Sequence, residues 1–123
     1  MDLDAMVKGY TDCALWASIT GEDGEPLDEN HTADDLAPST VAAFRRDCAD
    51  FAALITSEDI DVSDIEPGQF GQDFWLTRNH HGAGYWDRGL GERGDALTKW
   101  AHSMGEADLV VVADQIHQYG EDN

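Results

Sequence analysis

Apolar positions along the chain change their spacing several times, and each change marks an element. Leu3, Met6, Tyr10, Cys13 and Ala17 recur at intervals of three and four, which lines one face of a helix over 3–17. Leu15 and Trp16 fall off that stripe, so the helix buries a second side or ends early. Thr20 to Asp35 is polar and holds Gly21, Gly24 and Pro26, which predicts a long surface connection. Pro38 suits the first turn of a second helix, where a missing N–H costs little. Val41, Phe44, Cys48, Phe51 and Ile55 form the inner stripe of that helix, and Arg45, Arg46, Asp47 and Asp50 fall on the other side. Ser57 to Gly68 carries five acids and Pro67 and predicts a loop.

The period then shortens. Phe74 and Leu76 alternate with Asp73, Trp75 and Thr77, a strand signature. Arg78 to Gly84 reads as a connection that reverses the chain, and Tyr85 and Trp86 as the start of a paired return strand. Asp95 is placed to cap a third helix, with Leu97, Trp100 or Ala101, and Met104 facing inward. Gly105 can end it in a left-handed conformation. Leu109 to Val112 reads as a short strand, Ala113 to Gln115 as a turn, and Ile116 to Tyr119 as the returning strand. The expectation is one α+β domain over residues 1–123, a small antiparallel sheet of three to four strands with about three helices packed on it.

Charge changes the picture more than length does. The 123 residues include 26 Asp and Glu against 7 Lys and Arg, a formal net charge of −19. Fourteen of the acids lie between Glu22 and Glu66, where the only bases are Arg45 and Arg46. Such a chain repels nucleic acid and anionic lipid and is drawn to basic surfaces. The candidate acidic interaction face comprises Glu22, Asp23, Glu25, Asp28, Glu29, Asp34, Asp35, Glu58, Asp59, Asp61, Asp64 and Glu66. Abundant Asp with only Lys8 and Lys99 also fits plain solubility or a salt-loving source. No stretch approaches the ~20 apolar residues of a membrane helix, and the acidic N-terminus lacks the basic start of a signal peptide. Cys13 and Cys48 sit on apolar helix faces, as buried thiols of a reducing compartment would. The expected location is cytoplasmic.

Asp73 to Gly94 concentrates the chemistry: aromatics, two adjacent histidines, three arginines and several glycines. The ligand-binding candidates are Arg78, His80, His81, Gly82, Gly84, Tyr85, Asp87 and Arg88. Guanidinium forks bind phosphate or carboxylate bidentately, and glycine N–H groups can form an anion nest. In so acidic a chain the same arginines more often serve as internal ion-pair partners, with Asp73 and Asp87 nearest to hand. Gly89, Gly91 and Gly94 match G-x-G-x-x-G, but no strand–turn–helix crossover surrounds them. Neither a metal-ligand motif nor a nucleophile elbow is present, so no metal, cofactor or catalytic residue is assigned.

The run DFWLTRNHHGAGYWDRG resembles a group of small, uncharacterised acidic proteins from tailed phages. They share a DFWLTRN-x-HGAGFWDRG core, with Tyr85 here in place of Phe. The likeness extends to TDCALWASITGEDGEPLDEN and DDLAPSTVAAFRRDCADF, and so to most of the chain. It implies an accessory protein acting inside an infected cell, and it carries no activity.

Two functional classes follow. One is a binding protein, more readily than an enzyme, whose carboxylates imitate the phosphates of DNA for a basic or DNA-binding host protein, as anti-defence inhibitors do. The other is a binder of a small, nucleotide-like anion, or a minor enzyme, using the His80–Arg88 loop.

Overall fold

The computed structural model describes residues 1–18, 26–29, 31–81 and 84–120, the side chains of 29, 119 and 120 aside. Four α-helices, α1 (Leu3–Ala17), α2 (Pro38–Ser57), α3 (Pro67–Arg78) and α4 (Glu92–Ser103), precede a hairpin of β1 (Ala107–Val112) and β2 (Gln115–Gly120). The class is α+β. The expected three or four strands reduce to two, because Asp73–Thr77 lies inside helix α3 and Tyr85–Asp87 is a single 3-10 turn. None of the four helices is long and apolar enough to cross a membrane.

Helix α3 escapes the period test because it is wrapped on all sides. Phe70, Gly71 and every residue from Asp73 to Arg78 are buried. A helix without a wet face has no 3.6-residue alternation to read. Its start is nonetheless written in the chain: Glu66 accepts the Gln69 N–H at 2.8 Å as N-cap, and Pro67 takes the first turn.

The other three helices lie around it. On α1, Met6, Tyr10, Cys13 and Ala14 are fully buried, and Leu15 adds a second buried side while Trp16 faces solvent. On α2, Phe44, Cys48, Phe51 and Ile55 point inward, but Val41 is 49% exposed and Asp47 is buried, the reverse of the expected placing of both. Asp47 sits one position from Cys48, at the margin of the stripe, and has a partner inside. Aromatic packing joins the helices: Phe51 stacks on Phe74 at 4.1 Å, and Tyr10 meets Trp75 edge-on at 5.3 Å.

The expected hairpin is present, but its turn is two residues and not three: Gln115, expected in the turn, pairs with Val112 as the first residue of β2. Ala113 and Asp114 both have positive φ, 53° and 65°, as a two-residue type I′ turn requires. Its open edge is covered from far away in the chain. The Ile116 carbonyl accepts from the Ala37 N–H and the Thr40 hydroxyl, and the Gln118 N–H donates to Thr40 Oγ1. The start of α2 thereby occupies a strand edge that would otherwise invite pairing with other chains.

Both cysteines are free and buried, as expected. Burial pushes both thiols from 9.0 up to about 12 and lifts Tyr10 and Tyr85 above their ordinary 10.0. The unfolded chain ionises these groups first, so the stability they confer is complete below their ordinary values and drains as pH rises past them. The melting temperature is therefore expected to fall steadily between pH 9.0 and about 12. A flat profile across that window would show that the four groups are wet.

Candidate functional site

The chemically dense segment 73–94 is where α3, the Tyr85–Asp87 turn, α4 and the hairpin meet. At its centre is Arg78, in the last turn of α3 and with no exposed surface. Its Nη1 donates to Asp47 Oδ2 at 2.8 Å and to the Tyr10 hydroxyl at 3.0 Å. Its Nε and Nη2 donate to the carbonyls of Gly105 and Met104, just beyond the end of α4. Its guanidinium lies 5.2 Å from the centre of the Phe74 ring. Asp47 in turn accepts from Arg46 through its other oxygen. This is a buried charge with hydrogen-bond partners on several elements, the condition under which burial of an ion is tolerated.

Arg88 repeats the pattern nearer the surface. Its Nε and Nη2 form a fork on buried Asp73, with the shortest contact at 2.7 Å, and Gln69 donates to the same carboxylate. The expected pairing of a loop arginine with Asp73 is thus present, although Asp73 stands on a helix. Asp87 is exposed. Arg88→Ala is expected to lower stability by about 1–3 kcal/mol, the penalty for a buried acceptor left short of donors. Urea unfolding measures it, and an unchanged midpoint would mean that Asp73 does not rely on Arg88.

The remaining candidates are tied down locally. The Tyr85 hydroxyl donates to the Phe70 carbonyl at 2.7 Å, and its N–H donates to Thr77 Oγ1. A Cβ on Gly84 would collide with the Trp86 ring and Thr77 Oγ1, so this glycine provides a close approach. Asn79 ties the end of α3 to β1, accepting the Ala107 N–H at 2.8 Å. His80 takes a left-handed φ of 58°, its ring lies 4.1 Å from that of His102 at a tilt of 31°, and its Nε2 is 3.7 Å from Glu106. The half-buried His81 has its backbone N–H on the Leu76 carbonyl. Gly82 lies outside the described residues. Gly91 opens α4 at φ 62°, and no strand leads into it. Among the described residues, no three His, Cys, Asp or Glu gather to hold a metal ion.

No family model, curated protein or solved structure matches the chain. The chemistry of the site rests on its own geometry.

The acidic residues sort into two kinds. Asp2 caps α1, Glu66 caps α3, Asp35 closes a capping box with Thr32, and Asp64 holds Arg93 at 2.7 Å. Asp28, Asp34, Asp50, Glu58, Asp59 and Asp61 face solvent. Glu22, Asp23 and Glu25 lie outside the described residues, as does the Glu29 side chain. The loop 58–66 also frames an open cavity of about 540 Å³, with Ile60, Val62, Ile65 and Pro67 in its lining beside Asp59 and Asp61. The expected loop over 57–68 did not include this groove, because the apolar residues at 60, 62 and 65 interrupt the acidic run at unequal intervals. Sequence reasoning also missed Tyr10 and Asp47 as partners of Arg78, since each belongs to a different helix, and Gln69, which stands one turn before Asp73 on α3.

Proposed function

We propose that this protein is a phage-type accessory protein that binds a basic host protein, one whose surface ordinarily receives DNA, and acts as an inhibitor by occupying it. The observation that carries this reading is the internal use of the cations. Lys8, Arg45, Arg46, Arg78, Arg88 and Arg93 each have one of the chain's own carboxylates as partner. Lys99 lies over the Trp100 ring. What the chain turns outward at loop 58–66, at Asp28 and Asp34 and along α2 at Asp50 is carboxylate. A surface of that sign raises the association rate with basic partners and excludes nucleic acid.

The reading of a nucleotide-like anion at His80–Arg88 has less behind it. Arg78 has no surface to offer, and the fork of Arg88 already grips Asp73. An incoming phosphate would have to displace a buried carboxylate.

The test is capture from host lysate on the immobilised protein, at about 0.1 M and about 1 M salt, where the screening length falls from about 10 to about 3 Å. A DNA-binding protein retained at low salt, released at high salt and displaced by duplex DNA is the expected result. Capture indifferent to both salt and DNA would end this reading.

A further inference from the structure

The groove beside the acidic loop is built, not incidental. Its floor is half-buried: Ile60, Val62 and Ile65 pack their inner sides against the main core. The loop is pinned at several points. The Ile60 N–H donates to the Ile55 carbonyl, and the Ile65 N–H donates to the Val62 carbonyl. The Ser63 N–H donates to Asp61 Oδ1 at 2.9 Å. Arg93 reaches from α4 to the Asp61 carbonyl at 2.8 Å and grips both oxygens of Asp64. A loop held in this way loses little freedom when something settles on it, which is the condition for a preorganised docking site.

Its surface has two chemistries side by side. The lining is aliphatic, and Asp59 and Asp61 stand in it as exposed carboxylates, with Glu58 adjacent in the chain. Asp61 is held below the ordinary carboxylate range by the Ser63 N–H, so it stays charged at any physiological pH. Arg93 is turned onto Asp64 and the Asp61 carbonyl, and its ion pair is with Asp64 and not with the carboxylates of Asp59 or Asp61.

We infer that this groove receives an extended segment of the basic partner, one that sets aliphatic side chains onto Ile60, Val62 and Ile65 and lysine or arginine onto Asp59 and Asp61. Charge complementarity selects this occupant. An acidic segment, or a second copy of a chain of net charge −19, meets like charge at the rim. The aliphatic floor adds contact that neither DNA nor a polycation alone can use, and so gives the acidic protein a means of choosing among basic surfaces. This inference rests on the binding reading above and assigns it a place.

The test uses the full chain and two labelled synthetic peptides, one alternating lysine with leucine and one alternating lysine with serine, followed by fluorescence anisotropy and by backbone NMR shifts. The leucine peptide is expected to bind about tenfold tighter, and the shifts to centre on residues 56–67. The double variant Asp59→Asn, Asp61→Asn keeps the Ser63 contact and an amide that tolerates the left-handed φ of residue 59, so it is expected to fold. It should weaken the leucine peptide roughly tenfold at low salt and flatten the salt dependence. Val62→Thr should weaken the leucine peptide alone. Equal binding of the two peptides, shifts centred elsewhere, or a double variant that binds as well as the parent overturns the inference. Dimerisation of the parent through residues 56–67, seen by sedimentation and by NMR, also overturns it. If the double variant still captures a DNA-displaceable protein from lysate but the leucine peptide ignores the groove, this inference falls and the binding reading stands. If the leucine peptide seats as described and lysate capture ignores DNA, the groove stands as a site for basic segments, while the reading that the partner's DNA surface is occupied falls.

Discussion

Arg78→Ala is expected to lower the stability of the protein by about 3–5 kcal/mol, as removal of one partner from a buried ion pair does. Asp47 is only 4% exposed, so it would be left charged in the interior with Arg46 as its remaining support. The Tyr10 hydroxyl and the carbonyls of Met104 and Gly105 would each lose a donor as well. Arg78→Lys is not a rescue, because one ammonium cannot reach an acid on α2, a hydroxyl on α1 and two carbonyls beyond α4. The double change Arg78→Leu with Asp47→Leu separates charge from shape, since it removes both ions together. It is expected to lose less than Arg78→Ala alone. Urea unfolding of the three variants checks this, and an Arg78→Ala protein with a parental midpoint would mean that the guanidinium is not the interior tie described.

Gly71→Ala is expected to destabilise in spite of helix propensity. Alanine in a helix interior is favoured over glycine by about 1 kcal/mol. Here the added methyl would land on the Met6 carbonyl oxygen of α1, and Gly9→Ala would land on the Gly68 carbonyl of α3. The two helices touch backbone to backbone at these glycines, so neither obstacle is a side chain that can rotate away. Overpacking of this kind costs about 1–3 kcal/mol and more where backbone must move, which outweighs the propensity gain. Thermal melts of the two single variants and of an exposed control, Gly89→Ala, decide it. Gly89 has open space but a φ of 70°, so its loss reports only the left-handed strain. A Gly71→Ala protein melting above the parent would show that α1 and α3 stand farther apart.

The elements with one wet face were legible in the chain. Helices α1 and α2 and the final hairpin follow their apolar spacing to within a residue or two, because each keeps a face in solvent. Helix α3 was read as loop and strand for the opposite reason: its polar residues are inside. Asp73, Thr77 and Arg78 look like solvent positions in a list of letters, and become interior only through Arg88, Tyr85 and Asp47. Gly9 on α1 and Gly71 on α3 are what let the two helices come close. The candidate site was legible as a concentration of unusual residues but not as a function. The same arginine–carboxylate chemistry serves a ligand clamp or a tie between helices, and only the distances separate the two.

Arg78 also bears on how this chain is born. Its contacts reach back to Tyr10 and Asp47 and forward to Met104 and Gly105, and Ile116 meets Ala37 and Thr40 across most of the sequence. During synthesis the first helices leave the ribosome long before the carbonyls that complete the arginine's shell, and before the strand that seals the start of α2. A nascent chain halted ahead of residue 104 therefore carries a guanidinium with two of its carbonyl acceptors missing and an aromatic interior without a lid. The contacts that close the interior cannot form before residues 104–116 exist, and the domain is expected to assemble after its helices have emerged and not one helix at a time.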